Sequence, residues 1–361
     1  MADSLIERST VLRRVRAVGK AFTTPLHPDD YLKLINPLWS ARELRGRVER
    51  VEQVTDRSAT LVIKPGWGWS FDFQPGQYIG IGVEIDGRFH WRSYSLSSAP
   101  VRSEGTVAIT VKAMPEGFLS EHLVNGLAPG TIVRLESPQG DFVLPDPPPA
   151  KMLFVVGGSG ITPVMSMLRT LDRRGSVPDV FLAYSAVDED DMMFLDELRE
   201  LAAKHDRFTF HERFTDRDGV LTPDRLGDVC HDWAERETWA CGPQPMLDAL
   251  VEHFERLGRE DDLHVERFSL GATETDAEGG TITFGDTGKS VEVDGATTLL
   301  EAGEQAGVNM LFGCRMGICH TCDVPLLSGR VKDLRSGDEH TEGEYVQTCI
   351  SVAATDCTLK I

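Results

Sequence analysis

The chain has 361 residues, 41% of them hydrophobic, and a formal net charge of −20, which predicts two or three domains with ordinary globular cores. No apolar run approaches the roughly 18–20 residues of a membrane span, and the N-terminus lacks the apolar core of a secretion signal, so we expect a cytoplasmic protein. The seven cysteines are therefore expected to be thiols or metal ligands rather than disulfides, and the acidic balance excludes a broad basic face for nucleic acid.

The charge is unevenly distributed along the chain. The first 46 residues carry about +3, whereas residues 271–361 carry about −9. The acidity of the C-terminal part has two interpretations, which are solubility and a negative docking face that steers a basic partner. The basic residues near the N-terminus cluster at Arg13, Arg14, Arg16 and Lys20.

Short segments rich in β-branched residues, separated by glycine and proline, occupy residues 44–145. Pro75-Gly76 and Pro129-Gly130 are typical of the turns between such segments. The pattern predicts a small antiparallel β-barrel. The predicted strands include Arg47–Val54, Thr60–Ile63, Tyr78–Ile85 and Thr106–Val111.

Two segments of this predicted barrel carry groups suited to a phosphorylated aromatic ligand. Arg92 can bind a phosphate through two donors, and Tyr94, on the same strand face, offers a flat stacking surface beside the Ser95 hydroxyl. Gly117–Ser120 opens a short helix whose backbone amides suit a pyrophosphate. Each pattern is short, and a surface strand or an ordinary turn also explains it.

Strands and helices alternate over residues 150–268, which predicts a parallel sheet with helices on both faces. The strand Met152–Val156 leads into a glycine-rich loop, after which Thr162 is expected to cap the next helix and Pro163 to begin it. Such a helix start suits a phosphate, although a tight turn without a ligand has the same composition and the loop does not match G-x-G-x-x-G. The other predicted elements are Pro163–Arg174, Val180–Tyr184, Met193–His205, Phe208–Phe210 and Thr238–Ala240.

A further strand of this part ends at Cys241 and is followed by Gly242-Pro243. Ligands of open α/β sheets bind at the carboxyl ends of the strands, so Cys241 is expected to line that crevice. The alternative is that Cys241 is a small buried apolar residue, as most lone cysteines are.

Two segments are predicted to be linkers, the proline-rich residues 145–149 and the small, acidic residues 271–280. After the second linker, hairpin strands, one helix and a cysteine-rich loop indicate a small α+β unit. Its predicted elements are Thr281–Phe284, Ser290–Val293 and Leu299–Ala306.

The cysteine-rich loop has the spacing C-x4-C-x2-C, with 26 residues before a fourth cysteine. This spacing matches the plant-type ligand run of a [2Fe–2S] cluster, which transfers single electrons. Four cysteines can also bind zinc, which is the alternative. The candidate ligands are Cys314, Cys319, Cys322 and Cys349.

In this order and at this spacing, the segments resemble the ferredoxin–NADP reductase superfamily over residues 44–361. The C-terminal ferredoxin domain is the arrangement of phenylacetyl-CoA epoxidase reductases and ketosteroid hydroxylase reductases. The matching motifs are R-S-Y-S, G-F-L-S, G-G-S-G-I-T-P, C-G-P and H-V-E-R-F. The implied multidomain organisation is an N-terminal extension (1–43), an FAD-binding antiparallel β-barrel (44–148), an NAD(P)-binding α/β domain with a parallel sheet (149–268), a linker (269–280) and a β-grasp [2Fe–2S] ferredoxin domain (281–361).

The resemblance also implies roles for individual residues. Those implied to surround the reacting rings of flavin and nicotinamide are Tyr94, Ser95, Cys241, Glu266 and Phe268. Those implied to hold FAD are, besides Tyr94 and Ser95, Gln77, Arg92, Ser93, Val111, Lys112, Gly117, Phe118, Leu119 and Ser120. Those implied to hold the nicotinamide nucleotide are, besides Cys241, Gly158, Ser159, Gly160, Thr162, Gly242 and Pro243.

The cluster loop departs from the family pattern at one position. His320 stands between the second and third cysteines, where relatives often have glycine. We expect this substitution to leave iron ligation intact and to change the hydrogen bonds to sulfur.

The activity implied by the resemblance is that of an NAD(P)H:acceptor oxidoreductase. Electrons would pass from NAD(P)H through FAD and the cluster to a partner metalloenzyme, such as a fatty acyl desaturase, an oxygenase or hydroxylase, or a P450. FMN is the alternative to FAD. The acidic segment Asp188–Asp191 favours NADH over NADPH, but Arg213 or Arg217 would reverse this preference.

Thr23–Gly46 resembles an extension of actinobacterial reductases that serve membrane acyl-CoA desaturases or hydroxylases. The resemblance implies a membrane-bound partner and a peripheral membrane contact through the extension. Two other functions stay open, a free-standing flavin reductase or NAD(P)H oxidase and a membrane-recruited electron-transfer adaptor without turnover.

Overall fold

The computed structural model describes most of the chain after the N-terminal extension. The side chains of Arg88, Phe89, Arg102 and Phe118 are outside the description. The described residues are 32, 34–40, 43–85, 88–114, 118–268, 277, 279–295, 297–312, 317, 320–334 and 337–361. Among them, no helix is long and apolar enough to cross a membrane.

The first domain is an antiparallel sheet of six strands in the order β4-β3-β6-β1-β2-β5. Leu96, just after β4, pairs with Ile109 of β5, so the two edges of the sheet meet and the prediction of a barrel is confirmed. Inward-facing residues such as Leu61 and Ile81 are fully buried in its core. The strands are β1 (Arg45–Thr55), β2 (Ser58–Pro65), β3 (Tyr78–Ile85), β4 (Arg88–Ser95), β5 (Val107–Lys112) and β6 (Ile132–Leu135), and the short helix α1 (Phe118–Glu121) precedes β6.

The second domain has a five-stranded parallel sheet in the order β11-β10-β7-β8-β9. Alternate residues of β7 enter two separate cores, Phe154 on one face and Leu153 on the other, because side chains alternate along a strand and helices cover both faces. Its elements are β7 (Lys151–Gly157), α2 (Ile161–Arg174), β8 (Asp179–Ala186), α3 (Leu195–Lys204), β9 (Phe208–Phe214), α4 (Thr215–Asp218), α5 (Leu226–Val229), β10 (Glu237–Cys241), α6 (Gln244–Arg256) and β11 (Leu263–Glu266).

The prediction for the start of α2 is wrong. The helix begins at Ile161, after a single 3₁₀ turn over Gly158–Gly160 that runs directly into it, and no side chain caps it. Thr162 instead donates its hydroxyl hydrogen bond to the Ser159 carbonyl at 2.9 Å, and Pro163 follows as the third helical residue. The glycines allow the helix to start earlier than the capping residues indicated.

The C-terminal domain contains a mixed five-stranded sheet, β13-β12-β19-β14-β17, and a three-stranded sheet, β16-β15-β18. The central strands β12 and β19 are parallel, and Leu299 and Leu300 of α7 pack in the core with strand residues such as Phe284. A capping box between Thr298 and Glu301 starts the helix. The elements are β12 (Gly280–Phe284), β13 (Lys289–Val293), α7 (Leu299–Gln305), β14 (Asp323–Ser328), β15 (Val331–Asp333), β16 (Glu339–His340), β17 (Tyr345–Gln347), β18 (Ser351–Ala353) and β19 (Cys357–Leu359).

Candidate functional site

The glycine-rich loop and the Cys241-Gly242-Pro243 segment touch at the carboxyl edge of the parallel sheet. They follow the adjacent strands β7 and β10, where the strand order reverses direction, and such a switch point is where ligands of this architecture bind. A Cβ atom on Gly160 would lie 2.0 Å from the Cys241 carbonyl oxygen. The contact is therefore between backbones and requires glycine.

Gly158 faces the opposite situation in the same loop. Its φ is +53°, and a Cβ placed on it would meet nothing within 4 Å. The left-handed backbone turns the loop, and the space around it is open to a ligand that approaches the main chain. This geometry fits a phosphate group.

Tyr184, which the sequence analysis did not identify as a site residue, is hydrogen-bonded to this glycine loop. Its hydroxyl donates to the Gly158 carbonyl at 3.1 Å and accepts from the Met193 backbone N–H at 3.2 Å. The side chain is fully buried, and burial raises its pKa far above the usual value for tyrosine. The sequence signal that could have identified Tyr184 is its position inside the apolar strand β8. A buried phenol needs hydrogen-bond partners, so a tyrosine there indicates a polar contact.

Cys241 and Glu266 are neighbours across β10 and β11. The Cys241 side chain is fully buried, so it does not form an exposed wall of the crevice. Burial is the largest cause, and the Glu266 carboxylate the second, of a Cys241 pKa well above its usual value, so the thiol stays neutral. Phe268, just beyond β11, is 39% exposed and accessible to a ligand.

Arg92 and Tyr94 of β4 lie on one face of the strand, opposite Ile81 and Ile79 of β3. Arg92 is exposed, whereas burial raises the Tyr94 pKa to about 12, with the nearby Arg92 charge acting in the opposite direction. Tyr94 is therefore a neutral, largely packed ring beside an accessible guanidinium. This combination fits an aromatic ligand that carries a phosphate.

The other face of β4 carries Ser93 and the buried Ser95. Within the described part of the chain, the buried Ser93 hydroxyl has no hydrogen-bond partner, which is unusual for a buried polar group. Gln77 is already engaged, since its amide donates to the Gly140 carbonyl and accepts from the Gln74 N–H. An unsatisfied hydroxyl next to Tyr94 fits a site for a polar ligand.

Ser120 of α1 is connected to the end of the described segment after β5, because its hydroxyl accepts from the Met114 N–H at 3.1 Å. Leu119 and Val111 are buried in the barrel core, so only their backbone is available to a ligand. The predicted pyrophosphate residue Gly117 and the Phe118 side chain lie outside the described residues.

The barrel and the parallel-sheet domain are joined by polar contacts close to both candidate sites. Lys112 at the end of β5 pairs with Asp191 of the loop after β8, at 2.6 and 2.7 Å, and both side chains are only 16% exposed. Arg169 and Ser166 of α2 donate to carbonyl groups of the segment that follows β4. The helix that starts at the glycine loop is thus anchored to the chain that continues from Tyr94.

Two of the four candidate cluster ligands lie in contact. The sulfur atoms of Cys322 and Cys349 are 3.3 Å apart, and the Gly317 N–H donates to the Cys349 sulfur at 3.3 Å. The hydrogen bond between Cys322 and Cys349 is the largest cause of a Cys322 pKa lowered to about 6. Two sulfur atoms in contact, with a backbone donor beside them, fit the ligation of iron.

The remaining two candidate ligands, Cys314 and Cys319, lie outside the described residues. A group of three or more ligating side chains is accordingly not found within the described ranges. His320, between the second and third cysteines, has φ +55°, the left-handed region that a glycine adopts without strain. This conformation gives a physical reason for glycine in relatives, and the His320 ring lies near Asp323 and Gln347.

Family models match all three domains. The oxidoreductase FAD-binding domain matches residues 47–144, the oxidoreductase NAD-binding domain residues 154–252, and the 2Fe-2S iron-sulfur cluster binding domain residues 282–354. The chain is 56% identical to the NADPH oxidoreductase of Mycobacterium tuberculosis (strain ATCC 25618 / H37Rv), over 96% of this chain and 92% of that protein. It is 31% identical to the glycine betaine monooxygenase reductase subunit of Pseudomonas aeruginosa, over 80% of this chain and 87% of that protein.

Solved structures show the same architecture. The alignment with phthalate dioxygenase reductase covers 88% of this chain and 98% of that protein, with a TM-score of 0.62. The two sequences are 24% identical, so the likeness is one of fold alone. An intact type IV self-sufficient cytochrome P450 monooxygenase aligns over 88% of this chain and 41% of its own, with a TM-score of 0.57 at 26% identity.

The three domains, their order and these relatives define a class, the flavin- and iron–sulfur-dependent electron-transfer reductases. The chain belongs to the ferredoxin–NADP reductase superfamily, among the reductases with a C-terminal ferredoxin domain. It is an NAD(P)H oxidoreductase with binding domains for FAD, a nicotinamide nucleotide and a [2Fe–2S] cluster, and it delivers electrons to a partner.

Proposed function

We propose that the chain is the NADPH-dependent reductase component of an oxygenase or desaturase system, and that the residues above form its entry and exit sites. The observation that carries this proposal is the contact of the glycine loop with the Cys241 segment at the switch point of the parallel sheet. The proposed boundaries are those at residues 43/44, 148/149, 268/269 and 280/281, which enclose the three family matches.

Bound FAD would supply the exchange between two-electron hydride transfer and single-electron transfer, and a bound cluster would supply one-electron transfer to the partner. The chain's own residues bind and orient these groups. Gly158, Ser159 and Gly160 offer backbone donors to the dinucleotide phosphates, and Arg92 offers its guanidinium to the flavin phosphate. Ser120, whose hydroxyl accepts from the Met114 N–H, is the residue of α1 that we propose for the pyrophosphate.

Neutral side chains would surround the reacting rings. A pKa of about 12 keeps the Tyr94 phenol uncharged at physiological pH, so that it can stack without a charge. The buried Cys241 thiol stays protonated for the same reason, and Glu266 is its charged neighbour. We propose that Ser95 and Phe268 complete the enclosure and keep water away from the rings.

The exit site can be tested apart from the entry site with Cys349→Ser. We expect this variant to lose the visible absorbance of the cluster and the reduction of cytochrome c, while NADPH-dependent ferricyanide reduction by the flavin continues. Cys357→Ser, a buried cysteine outside the ligand run, is the control and should keep both activities. Cytochrome c reduction that survives in Cys349→Ser would contradict the proposed exit site and favour a free-standing flavin reductase.

The choice of NADPH rests on the name of the 56% identical relative and on two arginines, one near the end of β9 and one in α4. Arg213 is buried and donates to the Asp218 and Gly219 carbonyls, so it is committed to the fold. Arg217 is exposed, lies over the Phe214 ring at 5.1 Å and pairs with Asp218. It is the side chain that we propose for the 2′-phosphate, in contrast to the preference for NADH that the acidic segment favoured.

Arg217→Gln should lower kcat/KM for NADPH about tenfold, the effect of one charge-assisted hydrogen bond, and leave that for NADH unchanged. Arg225→Gln, in an exposed pair on the same domain, is the matched control. If the wild-type enzyme prefers NADH, or if Arg217→Gln leaves the ratio of the two nucleotides unchanged, the proposal for NADPH is wrong.

We further propose that the partner is membrane-bound and that the N-terminal extension contacts the lipid surface. Residues 34–40 dock on the barrel, where Leu38 is buried and the Trp39 and Trp67 rings stack at 5.4 Å. Leu34 and Ile35 beside this stack are 82% and 72% exposed. Exposed apolar side chains, together with the basic cluster at Arg13–Lys20 earlier in the sequence, supply the two signals that a peripheral membrane contact requires.

Co-sedimentation with vesicles of phosphatidylcholine and phosphatidylglycerol tests this contact. The full chain should sediment with anionic vesicles and much less with pure phosphatidylcholine, and the double variant Leu34→Ser/Ile35→Ser should lose binding. Val220→Ser, at an exposed apolar residue of the nucleotide domain, serves as the control. No binding to anionic vesicles by the full chain would exclude the membrane contact without affecting the reductase assignment.

A further inference from the structure

The Lys112–Asp191 pair differs from the two other ion pairs that the described residues form between the barrel and the nucleotide domain. The side chains of Arg173 and Glu104 are 51% and 43% exposed, and those of Arg174 and Asp146 are 39% and 76% exposed. Exposed pairs contribute little, because water screens them. Lys112 and Asp191 are each 16% exposed, and the ammonium group contacts both carboxylate oxygens.

Asp191 is held in place by its own loop. Its backbone N–H donates to the Asp188 carboxylate at 2.8 Å. The next residues, Met192 and Met193, are buried, and Phe194 has φ +61°, a strained conformation that ends the loop before α3. The carboxylate of Asp191 is therefore presented to the barrel by a loop that is anchored on both sides.

This loop is connected through Tyr184 to the glycine loop. The Met193 N–H donates to the Tyr184 hydroxyl at 3.2 Å, and the hydroxyl donates to the Gly158 carbonyl at 3.1 Å. Burial, and to a smaller degree the Asp191 carboxylate, raises the Tyr184 pKa, which is consistent with a short path between the two side chains. A continuous series of contacts runs from Lys112 to Gly158.

We propose that Asp191 is a positioning residue which, through Lys112, sets the distance between the flavin barrel and the dinucleotide loop, and that Tyr184 transmits this position to Gly158. The inference rests on the proposed function, because it assigns the two ends of the series to the flavin and nicotinamide sites. A small error in the distance between reacting groups lowers a transfer rate strongly, while the affinity of one domain for its own ligand is preserved.

The experiment separates distance from affinity in the holoenzyme. Asp191→Asn should reduce the rate of flavin reduction at saturating NADPH between about tenfold and a hundredfold, the loss expected from a displacement of about 1 Å. The dissociation constant of NADP⁺, measured by calorimetry, should change less than twofold. Hydrogen–deuterium exchange over residues 187–194 should increase, and this measurement does not depend on turnover.

Matched variants show whether Asp191 positions the two domains or only stabilises the fold. Glu104→Gln removes an exposed interdomain pair, that with Arg173, and should leave the rate and the exchange unchanged. Lys112→Met combined with Asp191→Asn should be no slower than Lys112→Met alone, because both remove the same connection. Tyr184→Phe should weaken NADP⁺ binding, since it releases the Gly158 carbonyl.

The proposal is overturned if Asp191→Asn behaves like Glu104→Gln, or if rate and affinity fall in parallel with the melting temperature. The two proposals fail in distinguishable ways. A wild-type protein that oxidises neither NADPH nor NADH refutes the proposed function. In that case the exchange over residues 187–194 and its dependence on Lys112 still decide whether the ion pair couples the domains.

Discussion

The two edges of the parallel sheet are built on opposite physical principles. At the carboxyl edge, the uncharged backbone of Gly160 is in close contact with Cys241, and the space around Gly158 is open. At the amino edge, Arg236 is 7% exposed and pairs with Asp179 and Asp232, both at 2.8 Å.

At the amino edge, the charged side chains pair with one another and with backbone carbonyls. Arg236 also donates to the Met152 and Asp179 carbonyls, and Lys151 pairs with Asp232 and Glu235. Within the described residues, the donors of this cluster are engaged by carboxylates and carbonyls, whereas the backbone around Gly158 has open space. The comparison indicates that one edge of the sheet serves stability and the other binding, and variants at each edge can test this division.

The largest effect on stability is expected at the amino edge. Arg236→Met should lower the free energy of unfolding by about 2–4 kcal/mol, because it removes the buried cation and leaves its four acceptor groups, two of them carboxylates, without this donor. Urea denaturation measures this change. NADP⁺ affinity of the folded variant should stay within twofold of the wild type, and a large loss of affinity would break the division between the two edges.

Gly160→Ala, at the carboxyl edge, should reduce NADP⁺ affinity strongly and stability less than Arg236→Met does. Its Cβ would lie 2.0 Å from a backbone oxygen that cannot move aside, so we expect a loss of about 1–3 kcal/mol in stability. NADP⁺ affinity should fall at least tenfold, since the loop is displaced. Gly158→Ala is the comparison, because it has free space and only the strain of φ +53°, about 1 kcal/mol. Equal effects of both substitutions would contradict a packing contact.

The smallest effect is expected for Asp232→Asn. Hydrogen bonds from Arg236, and next from Lys151, hold the Asp232 pKa well below its ordinary value of 3.8. Because the folded-state pKa is the lower one, the charged carboxylate stabilises the fold above about pH 4, and this contribution is lost as the pH falls through the folded pKa.

We expect Asp232→Asn to lower the free energy of unfolding by about 1 kcal/mol at pH 7. This figure takes account of the one-third exposure of the Asp232 side chain, because water screens an exposed charge. The difference between wild type and variant should shrink as the pH is lowered from 5 to 2 in thermal unfolding experiments. Asp228→Asn, in an exposed pair, is the control. A difference that is constant with pH would show that the charge of Asp232 is not the cause.

Much of the architecture was predictable from local patterns. Alternation of strands and helices indicated the parallel sheet, and β-branched segments between glycine and proline indicated the barrel, because periodicity and turn chemistry are local properties of the chain. The start of α2 was not predicted correctly, since Thr162 and Pro163 are typical capping residues and the glycine turn before them overrode that signal.

The spacing of four cysteines and the order of short motifs were sufficient to indicate the cofactor classes, because such ligand runs and phosphate loops depend on neighbours in the sequence. Contacts between distant residues were not predictable in this way. Gly160 against Cys241 and Lys112 against Asp191 both depend on how separate segments pack. The burial of Cys241 and Tyr184 depends on this packing as well, since desolvation and contact geometry exist only in the folded chain.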